Sequence, residues 1–340
     1  MLTLNRICIP LTLDCNLQCK YCYRDKEKLD IIPEFTEEMK DYLRNLSPDW
    51  CEAVVANGGE PFLRFDKLKE FFSCVPRNIH KKILSNCTLL TQEIVDYINE
   101  NEIELHISHD GPRTKFLRGV DILENPKIRD LIYQVKFVSC LGVITKYNTD
   151  CWENYFDTLT KLGRSNIRYM SMPLMDIPSQ HDLIDGFNYE EWYRTYLQVK
   201  VSPLREKYLS LFPWYDGQLI KKEFIHKPGR GEGRPVYFNV LPNGIICGMT
   251  KICSMYGSVF DENYENIRKK AINSGDMDYC IKVNCEFKNG CDCDAQSATD
   301  HTCKCRRLLM KTSKEKYIKT RKFVCDHWEE IKEKYDYVEI

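Results

Sequence analysis

The chain has 340 residues, 43% of them hydrophobic, with 49 basic and 50 acidic side chains and a net charge of −1. That length and apolar content allow one barrel with an appendage or roughly two domains. The charges are mixed in sign without long like-charged blocks, which argues against a polyanion-binding body, so nucleic acid is not the expected partner.

Eighteen cysteines would suggest disulfides in a small secreted chain. The start Met1-Leu2-Thr3-Leu4-Asn5-Arg6-Ile7 shows no basic segment followed by an apolar run and cleavage site. No stretch approaches the ~18 uninterrupted apolar residues of a membrane helix. The expectation is a cytoplasmic protein with no membrane contact, its cysteines reduced and many of them bound to metal in a low-oxygen setting.

Residues 1–175 alternate short β-type runs with amphipathic segments, the pattern of repeated βα units and a parallel sheet. Strands are predicted at Arg6–Leu13, Ala53–Ala56, Lys82–Leu84, Glu104–Ile107, Lys136–Ile144 and Ile167–Met172. Helices are predicted at Thr36–Leu46, Asp66–Cys74, Thr91–Asn99, Pro126–Tyr133 and Trp152–Leu162. Thr91, Gln92 and Glu93 make a clear helix start, whereas Met39 stands where a capping-box acid would follow Thr36.

Polar or glycine-rich breaks follow the first four strands. The run Asp14-Cys15-Asn16-Leu17-Gln18-Cys19-Lys20-Tyr21-Cys22-Tyr23 comes after the first. Asn57-Gly58-Gly59-Glu60-Pro61 follows the second, Ser85-Asn86 the third, and Ser108-His109-Asp110-Gly111-Pro112 the fourth. Cys15, Cys19 and Cys22 supply three thiolates, one fewer than a closed four-iron cluster or structural zinc site takes, so one metal corner stays open. A zinc site completed by a distant cysteine or histidine is the plainer alternative. Taken singly, Gly58-Gly59 reads as strain relief, Ser85-Asn86 as a helix cap and Asp110-Gly111-Pro112 as a turn. Together, at the same end of successive strands, they read as a site.

These motifs resemble those of the radical S-adenosylmethionine (radical SAM) enzymes, with Tyr21 as the aromatic residue before the third cysteine. The resemblance implies an α/β fold: a partial (β/α)6 barrel with a small cysteine-rich C-terminal auxiliary-cluster domain and a terminal helix. It also implies a [4Fe-4S] cluster on Cys15, Cys19 and Cys22 whose open iron is chelated by SAM, and reductive cleavage of SAM to a 5′-deoxyadenosyl radical that abstracts a hydrogen atom. Gly58-Gly59-Glu60-Pro61 is similar to the family's GGE element, whose backbone and carboxylate take the SAM amino group. Ser85-Asn86 falls where many members have Thr-Asn-Gly, with Cys87 in place of the glycine. Ser108 and Asp110 match the Ser-x-Asp-Gly turn of the peptide-modifying branch. His109 is either a substrate contact or a buried filler, and Arg118 either a partner of the SAM carboxylate or a solvated surface residue.

Residues 176–235 change character, with prolines, aromatics and the loop-like run Lys227–Pro235, and are read as a linker or substrate-proximal region. Trp192, Tyr193 and Tyr196 there read as helix packing. Cysteines then return at Cys247, Cys253, Cys280, Cys285, Cys291, Cys293, Cys303, Cys305 and Cys325. Asn243-Gly244 signals a hairpin before Cys247. Residues 236–310 resemble the SPASM or shorter twitch extension, which holds one or two auxiliary [4Fe-4S] clusters. Cys285-x5-Cys291 fits that pattern and Cys247-x5-Cys253 resembles its first pair; Glu262 stands at one cysteine position, and the Cys-x2-Cys step is missing. The reading is at least one auxiliary cluster, with structural zinc as the alternative. Cys8, Cys51, Cys74, Cys140 and Cys151 read as core residues. A helix is expected over 311–340, with Tyr317, Phe323, Val324, Trp328, Ile331 and Tyr335 recurring on one face.

The resemblance implies a peptide or protein substrate, ribosomally made and modified by crosslinking, epimerisation or oxidation, and an external reductant such as flavodoxin or ferredoxin. Cys15 lies too near the start for a precursor-recognition domain to precede it, so recognition is expected from the barrel, the 176–235 region or a separate protein. A small-molecule or nucleoside substrate, and a non-enzymatic zinc or iron–sulfur scaffold, are the other readings. His106, His109, Asp110 and several tyrosines are unranked as acid–base groups.

Overall fold

Six parallel strands in chain order frame the protein: β1 (Arg6–Pro10), β2 (Ala53–Asn57), β3 (His80–Ser85), β4 (Glu104–Ser108), β5 (Val138–Ile144) and β6 (Arg168–Pro173). The computed structural model describes residues 4, 6–22, 32–163, 168–173, 181–201, 238–248, 255–261, 266–267, 270, 319 and 322–334. The strand order follows the sequence because each strand returns beside its predecessor through a helical crossover. Both faces of such a sheet are covered, and all five residues of β2 are buried.

The crossover helices are α1 (Glu37–Arg44), α2 (Phe65–Ser73), α3 (Gln92–Glu100), α4 (Thr114–Arg118), α5 (Pro126–Gln134) and α6 (Cys151–Leu162). Their starts are set by short polar side chains. Thr36 accepts from the Met39 amide even without a capping-box acid, Thr91 accepts from Ile94, and Asp150 accepts from Trp152 and Glu153. Helix α6 buries Trp152, Tyr155, Phe156, Leu159 and Leu162 and stops at Gly163, whose φ of +63° is left-handed. Helices α7 (His181–Ile184) and α8 (Tyr189–Val201) follow, with Trp192 and Tyr196 buried and stacked, in their expected packing role.

The sheet does not end at β1. Strand β7 (Phe238–Val240) pairs in parallel with β1, and β8 (Ile245–Cys247) and β9 (Met255–Ser258) continue it as an antiparallel meander, giving nine strands in the order β6-β5-β4-β3-β2-β1-β7-β8-β9. The Asn243-Gly244 turn joins β7 to β8 with Gly244 at φ +82°. The start of the region read as an auxiliary domain thus extends the barrel's own sheet. A final helix, α9 (Trp328–Lys334), sets Trp328 against Trp152 at 5.9 Å between ring centroids, and Val324 just before it lies in the core. Phe323, expected on the same apolar face, is 49% exposed, and Tyr317 and Tyr335 lie outside the described residues. Cys8, Cys51, Cys74, Cys140 and Cys151 are buried, as their core reading requires. Among the described residues no helix is long and apolar enough to cross a membrane.

Candidate active site

The loops after β1, β2, β3, β4 and β5 meet at one end of the sheet. After β1, Leu11 stays hydrogen-bonded to the Asn57 carbonyl, and the chain then runs against the end of β2: Gly59 N donates to Thr12 O at 2.7 Å and Glu60 N to Asp14 O at 2.8 Å. The two glycines make this contact possible. A Cβ on Gly58, itself at φ +131°, would lie 2.3 Å from Thr12 O, and one on Gly59 would lie 1.9 Å from Asp14 O. The cysteine loop is thereby laid flat on the strand-two turn.

The Glu60 side chain ties the second turn to the third. Its buried carboxylate accepts from the Ser85 hydroxyl at 2.7 Å, from Asn86 N at 2.8 Å and from Phe62 N at 3.1 Å. Three protein donors position the carboxylate that the sequence reading pairs with the SAM ammonium. Burial pushes Glu60 up to about 7, against the three hydrogen bonds that favour the charged form. Pro61 then starts a short 3-10 turn capped by Glu60.

The turn after β3 reaches the cluster loop. Asn86 Nδ2 donates to Asn16 Oδ1 at 3.0 Å and points at Cys15 Sγ at 3.7 Å, while Asn16 Nδ2 donates to Thr88 Oγ1 at 2.7 Å. Cys87, standing where glycine is usual, takes a left-handed φ of +58° and is fully buried. The turn keeps a glycine's backbone shape with a thiol on it.

Asp110 gathers the other half of the site. It accepts from Tyr21 Oη at 2.5 Å, from Arg118 Nε at 2.7 Å and Nη2 at 3.2 Å, and from Val143 N at 2.7 Å. Arg118 also lies over the Tyr21 ring, 5.2 Å from its centroid. Burial alone would depress Arg118; the Asp110 carboxylate, with Tyr21 and Cys19, outweighs it and holds the guanidinium charged. Arg118 is thus a buried partner of Asp110 and not a solvated surface residue. Burial pushes Tyr21 well above its usual range, opposed by Arg118 and reinforced by Asp110. Ser108 ends β4, half-buried at the same rim.

His109 resolves as a buried filler. Its Nδ1 meets Thr158 Oγ1 at 2.7 Å and its Nε2 meets Asp121 at 3.1 Å. His109, Asp121 and Asp157 bring three ligand atoms within 4.8 Å. Lys161, however, reaches Asp121 at 2.7 Å and Asp157 at 3.0 Å, so an ammonium already supplies the cation there. His106, in the middle of β4, is buried beside Glu104 at the start of the strand, which His80 and Lys82 also approach.

The three cysteines carry free thiols; Cys15 and Cys19 are half-buried and Cys22 is exposed. A tight turn sets Cys22 N on Cys19 O at 3.1 Å. Burial raises the Cys19 thiol, with Arg118 opposing and Cys22, Cys15 and Asp110 adding, so the thiols sense one another electrostatically. The donor set therefore fits a four-iron cluster with one corner free of protein ligands.

Cys247 is fully buried on β8 beside Ile32 and Leu241. Cys253, Cys280, Cys285, Cys291, Cys293, Cys303 and Cys305 lie outside the described residues. Sequence reasoning missed Asn16, Thr88, Thr114 and Asn148. Thr114 Oγ1 accepts from Asp110 N at 2.8 Å, and Asn148 Nδ2 donates to Val143 O at 2.9 Å. The polar run Thr145–Asp150 after β5 was the available signal for Asn148.

Residues 9–198 match the model of the Radical SAM superfamily, more than half of the chain, and the protein belongs to that superfamily. A family member of this kind carries a [4Fe-4S] cluster and SAM. Among its relatives, an uncharacterized protein of Methanocaldococcus jannaschii is 24% identical over 76% of this chain and 90% of its own length. A probable GTP 3′,8-cyclase of Pyrococcus abyssi is 23% identical over 77% of this chain and 80% of its own. In fold, the chain is similar to anSMEcpe with bound AdoMet and Kp18Cys peptide, at TM-score 0.63 and 16% identity over 94% of this chain and 99% of that one. It is also similar to Streptococcus suis SuiB bound to S-adenosylmethionine, at TM-score 0.59 and 14% identity over 88% and 77%.

Proposed function

We propose that this radical SAM enzyme removes a hydrogen atom from a peptide or protein substrate, leading to crosslinking, epimerisation or oxidation of a side chain. The observation that carries the reading is the extent of the fold likeness: it runs past the barrel to 94% of this chain and 99% of a chain whose structure holds a peptide. SAM on the reduced cluster would supply a 5′-deoxyadenosyl radical. Cys15, Cys19 and Cys22 would hold the cluster, with Asn86 directing its amide at Cys15 Sγ; donors to a cluster sulfur raise its potential. Gly58, Gly59, Glu60 and Pro61 would form the SAM amino-group side of the pocket, with the Glu60 carboxylate held in place by Ser85, Asn86 and Phe62. Tyr21, Ser85, Asn86, Ser108, Asp110 and Arg118 would form its remaining wall. The C-terminal cysteines would carry at least one auxiliary cluster to take up the electron left on the substrate.

A nucleoside substrate is the second reading, favoured by the probable GTP 3′,8-cyclase among the relatives. Anaerobic reconstitution, reduction with dithionite and assay of 5′-deoxyadenosine separate these cases. Nucleoside formation lost in Cys19→Ala, with about eight or more irons per chain, supports the enzyme and an auxiliary cluster. About four irons with activity would make the C-terminal cysteines a structural site. Stimulation by GTP and not by peptides would overturn the peptide reading.

A further inference from the structure

Three side chains beside Cys15 close a ring of hydrogen bonds. Asn86 Nδ2 donates to Asn16 Oδ1 at 3.0 Å, Asn16 Nδ2 donates to Thr88 Oγ1 at 2.7 Å, and Thr88 Oγ1 donates back to Asn86 Oδ1 at 2.6 Å. The Thr88 backbone N–H fixes the sense of the ring, because it reaches Asn86 Oδ1 at 2.9 Å and can only donate. The Asn86 nitrogen therefore faces the other way, toward Asn16 and Cys15. Asn86 is buried, and its backbone N–H is held by the Glu60 carboxylate at 2.8 Å. The second N–H of Nδ2 points at Cys15 Sγ at 3.7 Å, and Leu17 N reaches the same sulfur at 3.4 Å. Among the described residues no N–H reaches the sulfur of Cys19 or Cys22.

We propose that Asn16, Asn86 and Thr88 form one positioning unit that keeps the Asn86 N–H on Cys15 Sγ and raises the reduction potential of the cluster through that single ligand; the inference rests on the radical SAM reading of the site. An N–H donor draws charge from a thiolate and weakens its donation to iron. When [4Fe-4S]2+ takes up one electron to become [4Fe-4S]1+, the sulfur grows more negative and the hydrogen bond strengthens. No bond in the protein is made or broken. An amide without the ring would turn between sulfur and water. The ring holds it in one orientation, since its three bonds all run in the same sense and reinforce one another.

The test is a dithionite-poised redox titration of the reconstituted full-length protein without SAM. It follows the paramagnetic resonance signal that SAM addition alters, which sets any auxiliary cluster apart, and iron is counted in every variant. Asn86→Ala is expected to make one-electron reduction roughly tenfold less favourable, a potential lower by about 59 mV. Thr88→Val leaves the Asn86 amide in place and removes the hydroxyl that closes the ring. It should move the potential the same way by a smaller amount, and Thr88→Ser should restore it. With Asn86→Ala already present, adding Thr88→Val should change nothing further. An unmoved potential in Asn86→Ala and Thr88→Val at full iron loading would overturn the proposal. So would shifts that add in the double variant, since Thr88 would then act by a route of its own. If Asn86→Ala takes up no iron, the comparison of Thr88→Val with Thr88→Ser decides alone, and equal potentials there overturn the proposal. Failure of the radical SAM reading shows separately, as an unsubstituted protein with no cluster signal that responds to SAM.

Discussion

The Tyr21 hydroxyl hydrogen-bonds Asp110 across 89 residues of sequence, joining the cysteine loop after β1 to the turn after β4 in a buried contact of 2.5 Å. Arg118 completes the arrangement by stacking on the ring and pairing with the same carboxylate. The cluster loop is thus anchored from both sides, by the Gly58-Gly59 turn and by Asp110.

Removing either partner should reveal what each bond contributes. Tyr21→Phe keeps the ring under Arg118 and deletes one donor, so a loss of about 1–2 kcal/mol is expected in denaturant unfolding. Asp110→Ala strands the buried Arg118 charge and should cost about 3–5 kcal/mol. The double variant Asp110→Leu with Arg118→Met should recover the part owed to the stranded charge, while the Tyr21 hydroxyl and Val143 N stay unpaired. A double variant no more stable than Asp110→Ala would show that the pair does not act as a unit.

Gly59→Ala should act on cluster assembly. Its Cβ would meet backbone atoms of Asp14, not a side chain that can swing away. Overpacking of this kind costs about 1–3 kcal/mol, and the strain falls on the residue before Cys15. Iron bound per chain after reconstitution should drop severalfold while far-UV circular dichroism is retained. Full iron loading would count against the tight seating of the loop.

Glu60 sets a pH dependence with a definite sign. Its value is raised from the ordinary 4.5 to about 7, chiefly by burial, so the folded chain holds this proton more tightly than the unfolded chain. The stabilisation is complete below about 4.5 and is lost as pH climbs through about 7. Unfolding free energy measured across that window should fall with rising pH, and Glu60→Gln should remove the slope. Above pH 7 the same variant should be about 1–3 kcal/mol less stable than the unsubstituted protein, because an amide N–H would face the Asn86 N–H.

Cys87 offers a comparison of backbone against side chain. Its left-handed φ of +58° carries a penalty of roughly 1–2 kcal/mol in any residue but glycine. Cys87→Gly relieves that strain and gives up a small buried side chain, so stability should change by no more than about 1 kcal/mol. Cys87→Val adds a branched Cβ to the same conformation and should lose more than about 2 kcal/mol. Thermal unfolding of the pair decides it.

The barrel was legible because its signals are local. Strand runs and polar breaks alternate, and Thr36, Thr91, Pro126 and Asp150 mark helix starts whose geometry lies within a few residues. The cysteine triplet and the Gly-Gly-Glu run were legible for the same reason. What the sequence hid is pairing at a distance. Nothing near Glu60 shows that Ser85 and Asn86 will bind its carboxylate, and nothing near Arg118 shows that Asp110 will bury it. Asn16 and Thr88 read as ordinary loop residues until the fold brings them within 2.7 Å. The β7–β1 pairing was invisible too, since a strand of only three residues has no periodicity to read.

That pairing has a bearing on how the protein is made. The cluster cysteines follow β1 directly, but the strand that flanks β1 comes only at Phe238–Val240. Until then β1 offers an open edge with Ile7, Cys8 and Ile9 in a ready template for another chain. Asn57, the residue before the Gly58-Gly59 turn, likewise waits for Asn239 to reach it at 3.4 Å. A chain halted after α8 would leave that edge of β1 unpaired, and such truncated products should be found in aggregates.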